Sequence, residues 1–254
     1  MYTIKECATQ LKLPYLKTNW EEILSEAHVK DMSCEDFLLE VLNAELNLRS
    51  SNSIKTKIKN AKFPYRIILE DYERDHFSTE LKLKIKQLET MEFLKNGQNV
   101  ILIGNPGTGK TALAIALGIK ACMEGKNVLF VSIPTLLMEI KEAMSQNQLL
   151  KYKRKFEKYD LVILDELGYV SFDKERGEIL FNLISSRSEK GSTIITSNLT
   201  YDRWNEIFND KVLTGAVIDR ISKMSYLLDM TGESYRIIAT KRWNERNQEQ
   251  LNDK

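Results

Sequence analysis

A chain of 254 residues that is 43% hydrophobic and 29% charged carries enough apolar side chains for a buried core and too many to be a disordered polymer. Its 37 Lys and Arg against 36 Asp and Glu leave a formal charge of +1, so bulk charge neither proposes nor excludes a nucleic-acid partner, and only its distribution can decide. Cys7, Cys34 and Cys122 show no C-x-x-C spacing, and His28 and His76 stand apart, which excludes a sequence-readable metal cluster and leaves all five as structural or incidental.

The first residues, Met1-Tyr-Thr-Ile-Lys-Glu-Cys7, place charges where a secretory signal needs an apolar core, and no apolar run reaches bilayer length. A cytoplasmic protein without membrane association is expected. Up to about residue 60 the pattern is helical, with no strand-like alternation. Ser33-Cys-Glu-Asp36 has the form of a capping box, and Phe37, Leu38, Val41, Leu42 and Leu46 follow at helical spacing as one apolar face that some other surface must cover. Between Leu46 and Leu69 come six basic residues, Arg49, Lys55, Lys57, Lys59, Lys62 and Arg66, and no acidic one. Such a run is either a solvated connector or an arm that contacts phosphates. The expected division is a helical region over 1–66, for partner or DNA contact, and a nucleotide-binding domain over 67–254.

From residue 99 onward, near-continuous apolar runs alternate with helical segments, the mark of an α/β domain with a parallel sheet covered on both faces. Strands are predicted at 99–103, 127–132, 160–165, 192–197 and 226–230. The first ends in Gly104-Asn105-Pro106-Gly107-Thr108-Gly109-Lys110-Thr111, a complete G-x-x-x-x-G-K-T loop, and Ala112 opens a run of helix formers. Strand, loop and helix in this order form a phosphate cradle: backbone N–H groups and the helix dipole face the anion, Lys110 reaches the β/γ-phosphates, and Thr111 ligates Mg²⁺. ATP is therefore the expected ligand.

The third strand delivers Asp165 and Glu166 at its carboxyl end, the first suited to Mg²⁺ and the second to polarising a water for attack on the γ-phosphate. Before it, Lys151, Lys153, Arg154 and Lys155 alternate with Tyr152, Phe156 and Tyr159, which suits either a phosphate-following surface or a helix whose aromatics are core. The fourth strand ends at Thr196-Ser197-Asn198, where an amide could bond both water and phosphate. Arg220 falls in a helical stretch and Arg236 follows the last strand.

Loop 104–111, LDELGY at 164–169, STIITSN at 192–198, VIDRI at 217–221 and GESYR at 232–236 together resemble the AAA+ ATPases of the IstB/DnaC group, in particular the IstB-type transposition helpers. The resemblance covers nearly the whole chain, including Cys34–Leu39 and Ala61–Arg66. It implies a five-stranded AAA+ core behind a small all-helical domain, with little or no carboxyl-terminal lid, since only 231–254 remain. It further implies Asn198 as sensor 1, Arg220 as a finger entering a neighbouring subunit's ATP, and Arg236 as a sensor-2-like contact. Implied partners are duplex DNA bound largely without sequence preference, an IstA-type transposase, and further copies of the chain. A replicative helicase loader shares the same ATPase core and stands as the alternative. A small-molecule kinase would not need Glu166, Asn198 and Arg220 together.

Overall fold

The computed structural model describes residues 2–169, 172–187, 190–235, 237, 240 and 243. It divides into two compact units, Met1–Thr56 and Lys57–Lys254.

In the first unit, α1 (Ile4–Gln10) begins with a reciprocal capping box between Thr3 and Glu6. Helix α2 (Pro14–Val29) has no side-chain cap of its own; Glu45, buried on α3 (Cys34–Asn60), accepts the Leu16 N–H at 2.9 Å in its place. Ser33 caps α3 as its sequence suggests, accepting the Asp36 N–H at 3.1 Å. The predicted single apolar face of α3 is corrected. Val41 is buried and Phe37 half-buried, whereas Leu38, Leu42 and Leu46 are 57%, 49% and 62% exposed. The covered stripe passes through 37, 41, 45 and 48, and the three exposed leucines lie one position on, about 100° round the helix. One run of apolar residues thus serves two faces.

The second unit begins within the last turn of α3. Lys62 takes a left-handed conformation (φ 63°) and Pro64 follows, which ends the helix. Ala61 then accepts the Phe130 N–H at 2.8 Å, and Phe63 packs against the Phe130 ring, so residues that the sequence groups with the helical region lie along the sheet edge. Helices α4 (Thr79–Glu89) and α5 (Glu92–Lys95) precede β1 (Asn99–Ile103). There follow α6 (Lys110–Met123), β2 (Val128–Ser132), α7 (Ile133–Ser145), α8 (Leu149–Phe156), β3 (Leu161–Leu167), α9 (Lys174–Arg187), β4 (Ser192–Ser197), α10 (Asn205–Phe208), α11 (Lys211–Ser222) and β5 (Ser225–Asp229). The strands pair in parallel in the order β2-β3-β4-β1-β5. This is the predicted five-stranded sheet, with β3 running two residues further and β5 starting one residue earlier than the apolar runs suggest.

Alternate residues of each strand feed two cores. Val100 and Leu102 of β1 pack with Leu113 and Leu117 of α6 on one face, and Ile101 and Ile103 pack with Leu136, Leu183 and Val217 on the other. Each such side chain contributes about 1.5–3 kcal/mol by leaving water. Arg187 at the end of α9 is 1% exposed and donates to the carbonyls of Phe156, Tyr159, Asp160 and Ser192, which fixes the end of α8 and the starts of β3 and β4. Burial lowers its pKa to about 10, although Asp160 and Glu157 favour the cation.

Candidate active site

At the carboxyl end of β1 the chain cannot continue as a strand and turns instead through residues 104–109 into α6. Gly104 donates its N–H to Ser197 of β4 at 3.2 Å, and a Cβ there would fall 2.6 Å from the Met230 backbone. Gly107 adopts φ +84°, and a Cβ on it would meet Ser234 Oγ at 2.1 Å. Asn105 reaches across to the Gly232 carbonyl at 3.3 Å, and Tyr235 donates its N–H to the Gly107 carbonyl at 2.9 Å. The segment after β5 therefore lies directly on the phosphate loop. Thr108 donates to the Asn105 carbonyl at 2.9 Å, and Lys110, 9% exposed, donates to the carbonyls of Gly104 and Asn105 at 2.7 Å each. Loop shape and ammonium position thus stabilise each other at the start of a 14-residue helix whose N-terminal dipole favours anions.

The carboxylates arrive through an irregularity. Pairing of β3 with β4 slips between Leu164 and Leu167, so Asp165 and Glu166 sit on a bulge. Asp165 is buried, and its Oδ1 accepts from Thr111 Oγ1 at 2.9 Å and from Thr196 Oγ1 at 2.6 Å. Glu166 is exposed and held at φ 65°, with its N–H donated to Thr196 Oγ1 at 3.0 Å. The bulge sends one carboxylate inward to the phosphate loop and the next outward to solvent. Asn198, after β4, keeps its side-chain Oδ1 buried with no hydrogen-bond partner among the described residues, a group that calls for a donor from a ligand or water.

Two cavities meet at these residues. A narrow one of about 70 Å³ is lined by Pro106, Gly107, Lys110, Thr111, Glu166 and Asn198 among others. A wider one of about 530 Å³ takes in Thr111, Asp165 and Glu166 from the other side and extends to Ser132, Glu139 and Lys62. The Thr111 hydroxyl and Asp165 carboxylate offer hard oxygen donors within 2.9 Å of one another, a donor set that fits Mg²⁺.

Several participants were invisible to sequence patterns. Thr196, on a neighbouring strand, donates to the Asp165 carboxylate and accepts the Glu166 backbone N–H. Tyr72 donates its hydroxyl to the Gly109 carbonyl at 3.4 Å and stacks on Phe77 at 6.1 Å, with its pKa pushed well up by burial. His76 lies 3.9 Å from the Phe77 ring and 5.8 Å from Tyr235, so an aromatic group borders the phosphate loop. His76, incidental by sequence, belongs to it. Arg220 is exposed on α11 and lines neither cavity. Arg236 lies outside the described residues.

The candidate DNA contacts separate into groups. Lys57, Lys59, Lys62 and Lys155 line one surface pocket, and Lys151 lines an adjoining one with Lys62 and Lys155. Lys55, Lys153 and Arg154 line neither. The aromatics interleaved with them are core: Phe156 is buried, and Tyr152 and Tyr159 pack against the same cluster, which selects the core alternative of the two that their spacing left open.

A parallel sheet with a phosphate loop after β1, which lies between β4 and β5, and a carboxylate pair two strands away on β3 defines a P-loop nucleotide-binding fold of the AAA+ type. Solved structures show the same fold: the crystal structure of DnaI superposes with a TM-score of 0.55 at 22% identity over 66% of this chain and 90% of that one. The DnaC helicase loader gives 0.52 at 21% identity over 71% and 98%. The model of the family described as IstB-like ATP binding protein matches residues 6–242, and the chain belongs to that family. It is 34% identical to the ATP-binding protein of insertion sequence IS21 from Pseudomonas aeruginosa, over 93% of this chain and 89% of that one. It is 32% identical to the ATP-binding protein of IS5376 from Geobacillus stearothermophilus, over 97% and 98%. Among the described residues no helix is long and apolar enough to cross a membrane.

Proposed function

We propose that this protein is an ATP-hydrolysing transposition helper that assembles on duplex DNA, recruits and stimulates a transposase, and resets by hydrolysis. The observation that carries the reading is the junction at Asp165 and Glu166, where a bulge places one carboxylate against Thr111 and turns the next toward the cavity shared with Lys110 and Asn198. A kinase has an acceptor group as its nucleophile; a carboxylate here instead suits activation of water.

In this reading residues Gly104 through Ala112 bind the triphosphate, Lys110 offsets charge on the transferring phosphoryl group, and Glu166 accepts a proton from the attacking water. The unpartnered Asn198 oxygen accepts that water's other hydrogen and orients it. Thr111 and Asp165 would hold Mg²⁺, which supplies charge neutralisation on the phosphates. The ring group of Tyr72, His76, Phe77 and Tyr235 beside the loop suits the nucleotide base. Arg220, exposed and outside the lining of the two active-site cavities, is available to a neighbour's ATP, which supports homo-oligomeric action. The insertion-sequence origin of the relatives supports duplex DNA and an IstA-type transposase as partners.

Duplex binding measured with ATP, with ADP and without nucleotide tests this cycle. Affinity greatest with ATP is expected; equal affinity in all three states would defeat the nucleotide-driven assembly.

A further inference from the structure

Two basic stretches far apart in the chain close around one surface pocket of about 570 Å³. Lys57, Lys59, Lys62, Lys155 and Lys158 line it, and among the described residues no acidic one does. In a chain with a net charge of +1 this is a concentrated excess of one sign. Gathering like charges costs free energy, and an anion that follows the groove offsets that cost.

The walls are held in place. Ala61, between the lysines of the first stretch, is fully buried and accepts the Phe130 N–H of β2. Asn127 accepts from Lys57 Nζ at 2.7 Å and donates its own N–H to Asp160 at 2.7 Å. Arg187 anchors the carbonyls of Phe156 and Tyr159 on either side of Lys158. Lysine stems thus project from a fixed scaffold, which lowers the ordering cost of binding.

Among the described residues, Lys62 is the one of the five lysines with a carboxylate partner. Its Nζ lies 3.0 Å from Glu139 Oε1, and the other Glu139 oxygen accepts the Tyr152 hydroxyl at 2.9 Å. The Lys62 side chain is 59% exposed, so the pair is weak enough to exchange. Lys62 also borders the wide cavity that holds Thr111, Asp165 and Glu166.

We propose that this groove seats the phosphate backbone of duplex DNA and that Lys62 exchanges Glu139 for a phosphate when DNA binds. The exchange happens beside the catalytic carboxylates, which gives bound DNA a route to the ATP site. The proposal rests on the reading of the protein as a DNA-binding ATPase and names where on the ATPase unit the DNA lies.

The test is binding of the full-length protein with ATP to a labelled duplex of arbitrary sequence, across a series of KCl concentrations. Replacing Lys57, Lys155 and Lys158 together by Ala is expected to weaken binding to all sequences alike. The slope of log affinity against log salt should fall by about 0.9 for each phosphate that is no longer neutralised. The corresponding triple Arg variant keeps the wild-type slope, and both variants retain ATP binding, because none of the three residues lines the active-site cavities. Glu139→Gln removes the competitor for Lys62 and should tighten binding about two- to fivefold, the scale of an exposed ion pair. A wild-type protein that binds DNA, with an Ala triple variant of unchanged affinity and slope, overturns the groove. Unchanged or weaker binding by Glu139→Gln overturns the exchange. No DNA binding by the wild type at any salt concentration overturns the broader reading itself.

Discussion

The Thr196 hydroxyl lies 2.6 Å from Oδ1 of Asp165 and donates to it, so a residue on β4 sets the position of the buried carboxylate on β3. The same oxygen accepts the Glu166 N–H, so among the described residues the one Thr196 side chain holds both acidic positions. Thr196→Val keeps shape and removes the hydroxyl. It should cost about 1–3 kcal/mol, because the Glu166 N–H and the Asp165 oxygen each lose a partner. Thr196→Ser should restore most of this. The measurements are urea midpoints and ATP turnover for both variants; a wild-type turnover in Thr196→Val would show that the clamp is dispensable for catalysis.

Glu166 stands in a left-handed conformation that a side chain adopts at a cost of about 1–2 kcal/mol. Glu166→Gln keeps that backbone and removes the carboxylate proposed as base, so ATP should still bind while turnover drops about 10²–10⁴-fold. Glu166→Gly should also abolish turnover but relieves the strain. Glycine takes back about 0.5–1 kcal/mol through unfolded-state entropy, so a net gain of up to about 1.5 kcal/mol in urea unfolding is expected. A lower midpoint for the Gly variant than for wild type would mean that the exposed carboxylate makes a stabilising contact of its own.

The phosphate loop and the five strands could be read from the chain because they depend on local pattern: glycines at fixed offsets, and apolar runs that burial on two faces requires. Asp165 and Glu166 were legible as a pair, whereas the bulge that turns them apart depends on register with β4 and leaves no mark in their own segment. Thr196, Tyr72, His76 and Tyr235 were missed for the same reason, since what brings them to the loop is strand order and the return of the chain after β5. The error on α3 has a different cause. Leu38, Leu42 and Leu46 have helical spacing as regular as that of the residues actually covered, and periodicity alone cannot say which of two apolar stripes is packed.

Cys122 is wholly buried against the α6 side of the sheet, while Cys7 and Cys34 are exposed. A thiol reagent at neutral pH should therefore modify two thiols quickly and the third at the rate of unfolding. Burial pushes the Cys122 pKa up to about 11 from 9.0, with Lys57 pulling weakly the other way. Between those values the unfolded chain has released the proton that the folded chain keeps, so this group lowers stability as pH rises from 9 to 11 and contributes no slope below that range. Urea midpoints for wild type and Cys122→Ala over this window check the sign: the wild type should lose more stability than the variant. Rapid modification of three thiols in the folded protein would contradict the burial.

Arg220 lies near the end of α11 with its side chain exposed, while Lys110 is buried in its own phosphate loop, so the two residues can fail in different subunits. Arg220→Ala should bind ATP normally yet lose turnover by about 10³-fold or more, the worth of an arginine supplied in trans to a phosphoryl transfer. Lys110→Ala should lose ATP binding outright, because the cation proposed to meet the β/γ-phosphates is gone. Each variant alone is then inactive, but a Lys110→Ala protomer still carries an intact Arg220 and an Arg220→Ala protomer an intact nucleotide site. Mixed in equal amounts with DNA present, the two should regain a fraction of wild-type turnover, at most about a quarter if neighbours pair at random, since only one ordered pairing in four puts the intact arginine against the intact loop. Activity that stays at zero in every mixture, with assembly confirmed by light scattering, would place Arg220 outside any neighbour's site.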